Sequence, residues 1–88
     1  MKNGLFIDEF GNKRYYLNNL FHREDGPAIE YANGRKVWYQ HGQLHREDGP
    51  AVEELYGERS WYFHDEYISC HTQEQFLIII HPELTSFL

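Results

Sequence analysis

A seven-residue string, His22-Arg23-Glu24-Asp25-Gly26-Pro27-Ala28, returns unchanged as His45-Arg46-Glu47-Asp48-Gly49-Pro50-Ala51, and that offset of 23 residues limits how the chain can fold. The same spacing joins Gly11, Gly34 and Gly57, then Tyr15, Trp38 and Trp61, then Tyr16, Tyr39 and Tyr62. Three units are expected. The first has no motif ahead of it, and the third runs into Asp65-Glu66-Tyr67-Ile68-Ser69 where a further copy would start. Both ends therefore read as capping units of a stack whose members cannot each bury a core alone.

Each unit reads as a strand, a tight turn, a returning strand and a polar loop. Ala28-Ile29-Glu30-Tyr31 alternates in character and runs into Asn33-Gly34, a two-residue hairpin signal because both residues tolerate positive φ. Arg35 to Gln40 then carries the β-branched and aromatic side chains of a returning strand. Residues 51–63 and 5–17 repeat the pattern, so the fold expected is mainly β: a six-stranded antiparallel meander of about three stacked β-hairpin repeats. Strand periodicity sets Tyr15, Trp38 and Trp61 on one face and Tyr16, Tyr39 and Tyr62 on the other. The tryptophan ladder, with Leu17 and Phe63, is expected to face inward, leaving the three tyrosines more exposed, and Phe6, Ile29 and Val52 join one ladder as core.

After residue 68 the character changes. Thr72-Gln73-Glu74-Gln75 matches a capping box ahead of the apolar run Phe76 to Ile80, which predicts a short helix from about Gln73 to Ile80. Pro82-Glu83-Leu84 then opens a final turn leading to Phe87-Leu88. One domain over 1–88 is expected, with hairpin repeats over 5–68 and a helical cap over 69–88.

The single cysteine, Cys70, excludes an internal disulfide framework, so no oxidising compartment is required. The longest apolar run falls far short of the ~20 residues needed to span a bilayer, and no cleavable leader opens the sequence. A cytoplasmic location is expected. Residues 1–45 carry six basic and five acidic side chains (+1), and residues 46–88 carry two and nine (−7). The acidic half disfavours phosphate backbones, so direct nucleic-acid binding is not expected.

In the repeated loop, aspartate can accept hydrogen bonds from the turn backbone, glycine can supply an unusual dihedral, and proline fixes the entry to the next strand. Arg23 and Arg46 can pair with the adjacent acids or brace the neighbouring unit. An architectural role fits residues repeated at every junction. The sharper alternative is a ligand site lined by His22, Arg23, Asp25, His45, Arg46 and Asp48, with the arginines holding a nucleotide or other anion. Nothing marks a nucleophile and no Gly-rich phosphate cradle is present, so catalysis is not expected. His41 and His45 straddle a turn and no CxxC pair exists, so neither a metal nor a cofactor is expected. Cys70, just before the helix, sits where a thiolate would be favoured.

At His-Arg-Glu-Asp-Gly-Pro-Ala, followed about ten residues later by Trp38-Tyr39 and Trp61-Tyr62, the chain resembles MORN-like repeat proteins of large DNA viruses, bacteriophages and bacteria. The likeness covers roughly residues 5–68; the first unit departs from it with Tyr15-Tyr16 and no leading motif. It implies a β-hairpin scaffold used for binding, and an antitoxin-like role in some bacterial chains.

These readings converge on a non-enzymatic protein-binding module, a small phage or viral inhibitor that occupies a host or defence protein. The expected contact residues are Tyr16, Tyr39, Tyr62, Glu53, Glu54 and Glu58, directed at a basic or nucleic-acid-binding partner. An open meander also leaves sheet edges through which two copies can form a homodimer.

Overall fold

The computed structural model describes residues 1–85; the expectation for Phe87-Leu88 lies outside them. Ten short strands form among the described residues: β1 (Gly4–Ile7), β2 (Lys13–Leu17), β3 (Leu20–Phe21), β4 (Ile29–Glu30), β5 (Lys36–Val37), β6 (Tyr39–Gln40), β7 (Gln43–Leu44), β8 (Val52–Glu53), β9 (Arg59–Phe63) and β10 (Glu66–Ile68). Helix α1 (Gln73–Ile80) and a 3-10 turn over Pro82–Thr85 follow. Every pairing is antiparallel. The main sheet runs β1-β2-β4-β5-β8-β9-β10 with β3 also on β2, and β6-β7 forms a separate pair. The result is an open, mainly antiparallel meander with one short C-terminal helix.

The six strands expected become ten, because each unit has two turns: the second adds β3, β7 and β10, and one expected strand is divided at Trp38 into β5 and β6. The first kind joins β1 to β2, β4 to β5 and β8 to β9. In these, the N–H of Asp8, Tyr31 and Glu54 donates to the carbonyl of Asn12, Arg35 and Glu58, at 3.1, 2.9 and 2.8 Å. Only the last loop residue, Gly11, Gly34 or Gly57, has positive φ (87°, 103° and 94°). That is a three-residue loop ending in a left-handed glycine, which corrects the two-residue reading of Asn33-Gly34.

The second kind falls where a polar loop was expected. Asn18-Asn19, His41-Gly42 and His64-Asp65 each place both residues at positive φ (52° and 68°, 49° and 80°, 49° and 68°). These two-residue loops close β2 on β3, β6 on β7 and β9 on β10, and their backbone twist matches that of the flanking strands.

Register sets the core. Ile29 lies opposite Val37, and Val37 opposite Val52, so all three share one face of the sheet. Phe21, Tyr31, Tyr39, Leu44 and Tyr62 pack against them. Tyr16 joins through Phe21, with ring centroids 5.1 Å apart, and Phe21 continues to Tyr39 at 5.2 Å. The tyrosine ladder therefore lies on the core face and is half-buried, and the expected outward row is corrected. Two-residue turns fold β3 and β7 back so that Phe21 and Leu44 cover the tyrosine side. On the reverse face Tyr15 and Trp38 are half-buried and Trp61 is buried. Phe6, expected as core, stays 43% exposed because β1 lies at the sheet edge.

Helix α1 occupies the residues expected. Thr72 caps it, its hydroxyl accepting from the Gln75 N–H at 3.1 Å, and Gln75 Oε1 accepts from the His71 N–H at 2.7 Å. The first bond satisfies a donor that the first helical turn otherwise leaves unpaired, and the second ties the residue ahead of the cap to the helix. Phe76 is fully buried, while Leu77, Ile78 and Ile79 stay exposed. Burial of Ile29, Val37, Val52 or Phe76 stabilises by roughly 1.5–3 kcal/mol each. Such a small apolar core gives weight to the polar contacts at the junctions.

Candidate functional site: the paired motif loops

Each copy of the motif closes a clamp around its arginine. The Arg23 guanidinium lies over the Tyr15 ring at 4.0 Å, and that of Arg46 over the Trp38 ring at 3.8 Å. Arg23 Nε donates to Asp25 at 3.1 Å, and its Nη1 donates to the Pro27 carbonyl at 3.1 Å and to Glu30 at 3.2 Å. Arg46 repeats this with Asp48 at 2.8 Å, the Pro50 carbonyl at 3.1 Å and Glu53 at 2.8 Å.

Both motif glycines are explained by this clamp. Neither Gly26 nor Gly49 has positive φ, so no unusual dihedral is involved. A Cβ on Gly26 would meet Arg23 Cζ at 2.9 Å, and one on Gly49 would meet Arg46 Cζ at 2.5 Å. Glycine leaves the guanidinium room to lie flat against the loop backbone, space that a methyl group would take. Asp25 and Asp48 accept from arginine where turn backbone donors were expected.

The motif histidines brace the next two-residue turn. His22 Nδ1 accepts from the His41 N–H at 2.9 Å, and His45 Nδ1 accepts from the His64 N–H at 3.0 Å. A ring nitrogen that accepts carries no proton, so the proton of neutral His22 sits on Nε2, which reaches Glu24 at 2.6 Å. Left-handed backbone at His41 and His64 is thereby held from the preceding unit. Burial, and secondarily His64, push the His45 imidazole below its ordinary value against an opposing effect of Glu47.

Both ends of the array substitute other groups. Asn3 Oδ1 accepts from the Asn18 N–H at 2.8 Å, the task that His22 and His45 perform further along. At the other end Gln73 accepts from Trp61 Nε1 and donates to the Glu47 carbonyl, each at 2.8 Å, fastening α1 to the second motif loop.

The two loops lie side by side around an open groove of about 660 Å³. Trp38, Gln40 and His45 line it together with both arginines, and Glu24, Asp25, Glu47 and Asp48 line it with carboxylates. Those four side chains are 78%, 87%, 56% and 87% exposed. Four carboxylates against two guanidiniums leave the groove negative, and Nε and Nη1 of both guanidiniums are engaged in the clamps.

Of the residues expected to hold an anion, Arg23, Asp25, His45, Arg46 and Asp48 share the groove, while His22 is buried beside it. The residues expected to meet a partner are not brought to one surface. Tyr16, Tyr39 and Tyr62 are half-buried on the core face, and burial raises the Tyr39 phenol above its ordinary value. Glu53 clamps Arg46 on the opposite face, Glu54 pairs with Arg35 at 2.7 Å, and Glu58 is exposed at the third turn. Sequence reasoning missed Trp38 and Gln40 as groove residues and Gln73 as the fastening. An aromatic residue eight positions before each motif arginine was the readable signal. Burial raises the Cys70 thiol, opposite to the thiolate expected there.

Among the described residues, no group of three or more His, Cys, Asp or Glu side chains is placed to hold a metal ion, and no helix is long and apolar enough to cross a membrane. Fold and junctions together define an open antiparallel meander whose repeated loops are clamped by stacked arginines. Comparison of the chain with family models, with curated proteins and with solved structures gives no match.

Proposed function

We propose that the chain is a non-enzymatic protein-binding module of the MORN-like kind, and that it receives a basic segment of its partner in the groove between the motif loops. One observation carries the reading: the motif turns its histidine and arginine inward while its four carboxylates stay exposed along the groove that Trp38 also lines. A lysine or arginine side chain entering there meets opposite charge at its head and an aromatic surface along its stem. The role this suits is a small phage or viral inhibitor that occupies a basic, nucleic-acid-binding host protein. An anion receptor gains less support, since Nε and Nη1 of both arginines already serve Asp, Glu and Pro carbonyl acceptors.

Titration with an arginine-rich peptide, followed by amide and indole NMR shifts, tests this. Shifts confined to residues 23–26 and 38–48, weakening as salt is raised, support the reading. Shifts there with ATP or inorganic phosphate, and none with the peptide, replace it by the anion receptor. Glu47→Lys should weaken peptide binding without unfolding the chain, because the Glu47 carboxylate is exposed.

A further inference from the structure

The outer edge of β1 repeats, in an open state, a surface that the fold fills twice. At the two junctions between units, the Ala28 carbonyl accepts from the Tyr15 N–H at 2.7 Å and the Ala51 carbonyl from the Trp38 N–H at 2.8 Å. Both alanines are fully buried. Leu5 is the residue 23 positions before Ala28, and among the described residues no strand lies beyond it. Leu5, Phe6 and Ile7 are 46%, 43% and 58% exposed.

The hydrogen-bond phase of this edge follows from its neighbours. The Asp8 N–H turns inward to Asn12, and Tyr15, opposite Leu5, directs its N–H to Ala28 and its carbonyl to His22, away from β1. Backbone groups alternate along an antiparallel strand. Asp8, Phe6 and Gly4 therefore face β2, and Leu5 and Ile7 direct N–H and C=O outward.

We propose that two copies of the chain pair antiparallel through β1 about a two-fold axis at Phe6, with Leu5 opposite Ile7 of the second copy. Only residues with outward groups can form hydrogen-bonded pairs, and this register matches Leu5 with Ile7 twice, giving four bonds. It also sets Phe6 against Phe6 at the close, non-hydrogen-bonded position and continues the core face across the axis. The other end of the array offers a different strand, β10, folded back on β9, with α1 fastened beside it to Trp61 through Gln73. Copies joined head to head at their open ends form a closed, isologous pair that does not propagate into filaments. Charge favours the same end: residues 1–45 carry +1 and residues 46–88 carry −7, so this approach keeps the acidic halves apart.

This pairing uses a different surface from the groove, and its failure leaves the proposed function untouched. Sedimentation of the full chain over a concentration series should approach twice the 10.6 kDa chain mass. Ile7→Pro deletes an outward N–H without touching the β1 to β2 bonds, an edge position where proline is tolerated, and should return the mass to that of one chain. In a Cys70→Ser background, Phe6→Cys should form an intermolecular disulfide under mild oxidation, since directly opposed Cα atoms there stand about 4.5 Å apart. Leu5→Cys should not. A chain that stays monomeric at every soluble concentration, a dimer retained by Ile7→Pro, or a Phe6→Cys variant that fails to cross-link each overturns the proposal.

Discussion

Substituting Gly49 with alanine isolates the arginine clamp. Gly49 has no positive φ, so the methyl group brings no backbone strain. On its own it should stabilise by about 0.4–1 kcal/mol, by restricting the unfolded chain. The sign is reversed by what the methyl meets: Arg46 Cζ at 2.5 Å, Nη1 at 2.8 Å and Nε at 2.9 Å. A guanidinium can normally swing aside, but here Trp38, Asp48, Glu53 and the Pro50 carbonyl hold it from the other sides. Loss of the ring stack costs about 0.5–1 kcal/mol, the exposed Asp48 pair about 0.2–1 kcal/mol, and the two part-buried Nη1 bonds together about 2 kcal/mol. Set against the entropic gain, the net destabilisation is about 2–3 kcal/mol, or roughly 10–15 °C in Tm for a chain of this size. Urea and thermal unfolding followed by circular dichroism measure it. In an Arg46→Ala background the same methyl should be neutral or stabilising, which makes the double-mutant cycle decisive. Gly49→Ala without loss of stability, or with the same loss in both backgrounds, refutes the clamp. Gly26→Ala should act in the same direction but less, because its methyl stands 2.9 Å from Arg23 Cζ.

Gln73→Ala leaves the indole N–H of a buried Trp61 without its partner and unfastens α1, costing about 1–3 kcal/mol; unfolding curves and a red shift of tryptophan emission check it. His45 is held below its ordinary value of 6.5 in the fold, so the unfolded chain binds the proton more readily. The His45 contribution is therefore fully present above that value and is lost as pH falls through the folded pKa, and His45→Gln should flatten this part of the stability profile. Asp8 is held well below its ordinary 3.8, first by Arg14 and then by Asn12. Its contribution is present above 3.8 and fades in more acid solution, and in Asp8→Asn the slope of stability from about pH 4 to about pH 2 should be shallower.

Where local chemistry decided the structure, the sequence was readable. The capping box at Thr72 placed α1, because a hydroxyl cap and Gln75 act within one turn of chain. Gly11, Gly34 and Gly57 marked the first set of turns, although the loop there is one residue longer than the Asn33-Gly34 pair suggested. The second set was concealed. Asn18-Asn19 is a recognisable left-handed pair, but His41 and His64 are weaker signals, and they are held in that conformation by a histidine 19 residues earlier. The missed turns bring β3 and β7 back beside the tyrosines, so the same omission hid the cover that leaves that row half-buried where an outward one was expected. At the motif loops, the pairing of Arg23 and Arg46 with adjacent acids was legible. The role of Gly26 and Gly49 was not, since it depends on a guanidinium packed flat against them.

Each clamp closes within a short stretch of chain, from Tyr15 to Glu30 and again from Trp38 to Glu53. Losing or gaining a whole period during replication would leave every remaining clamp complete, with only the histidine brace to be rejoined across the seam. A slip of one or two residues inside a period would instead separate the ring, the guanidinium and the carboxylate that belong together. Genes for chains of this kind should therefore drift readily in copy number while tolerating almost no change in repeat length.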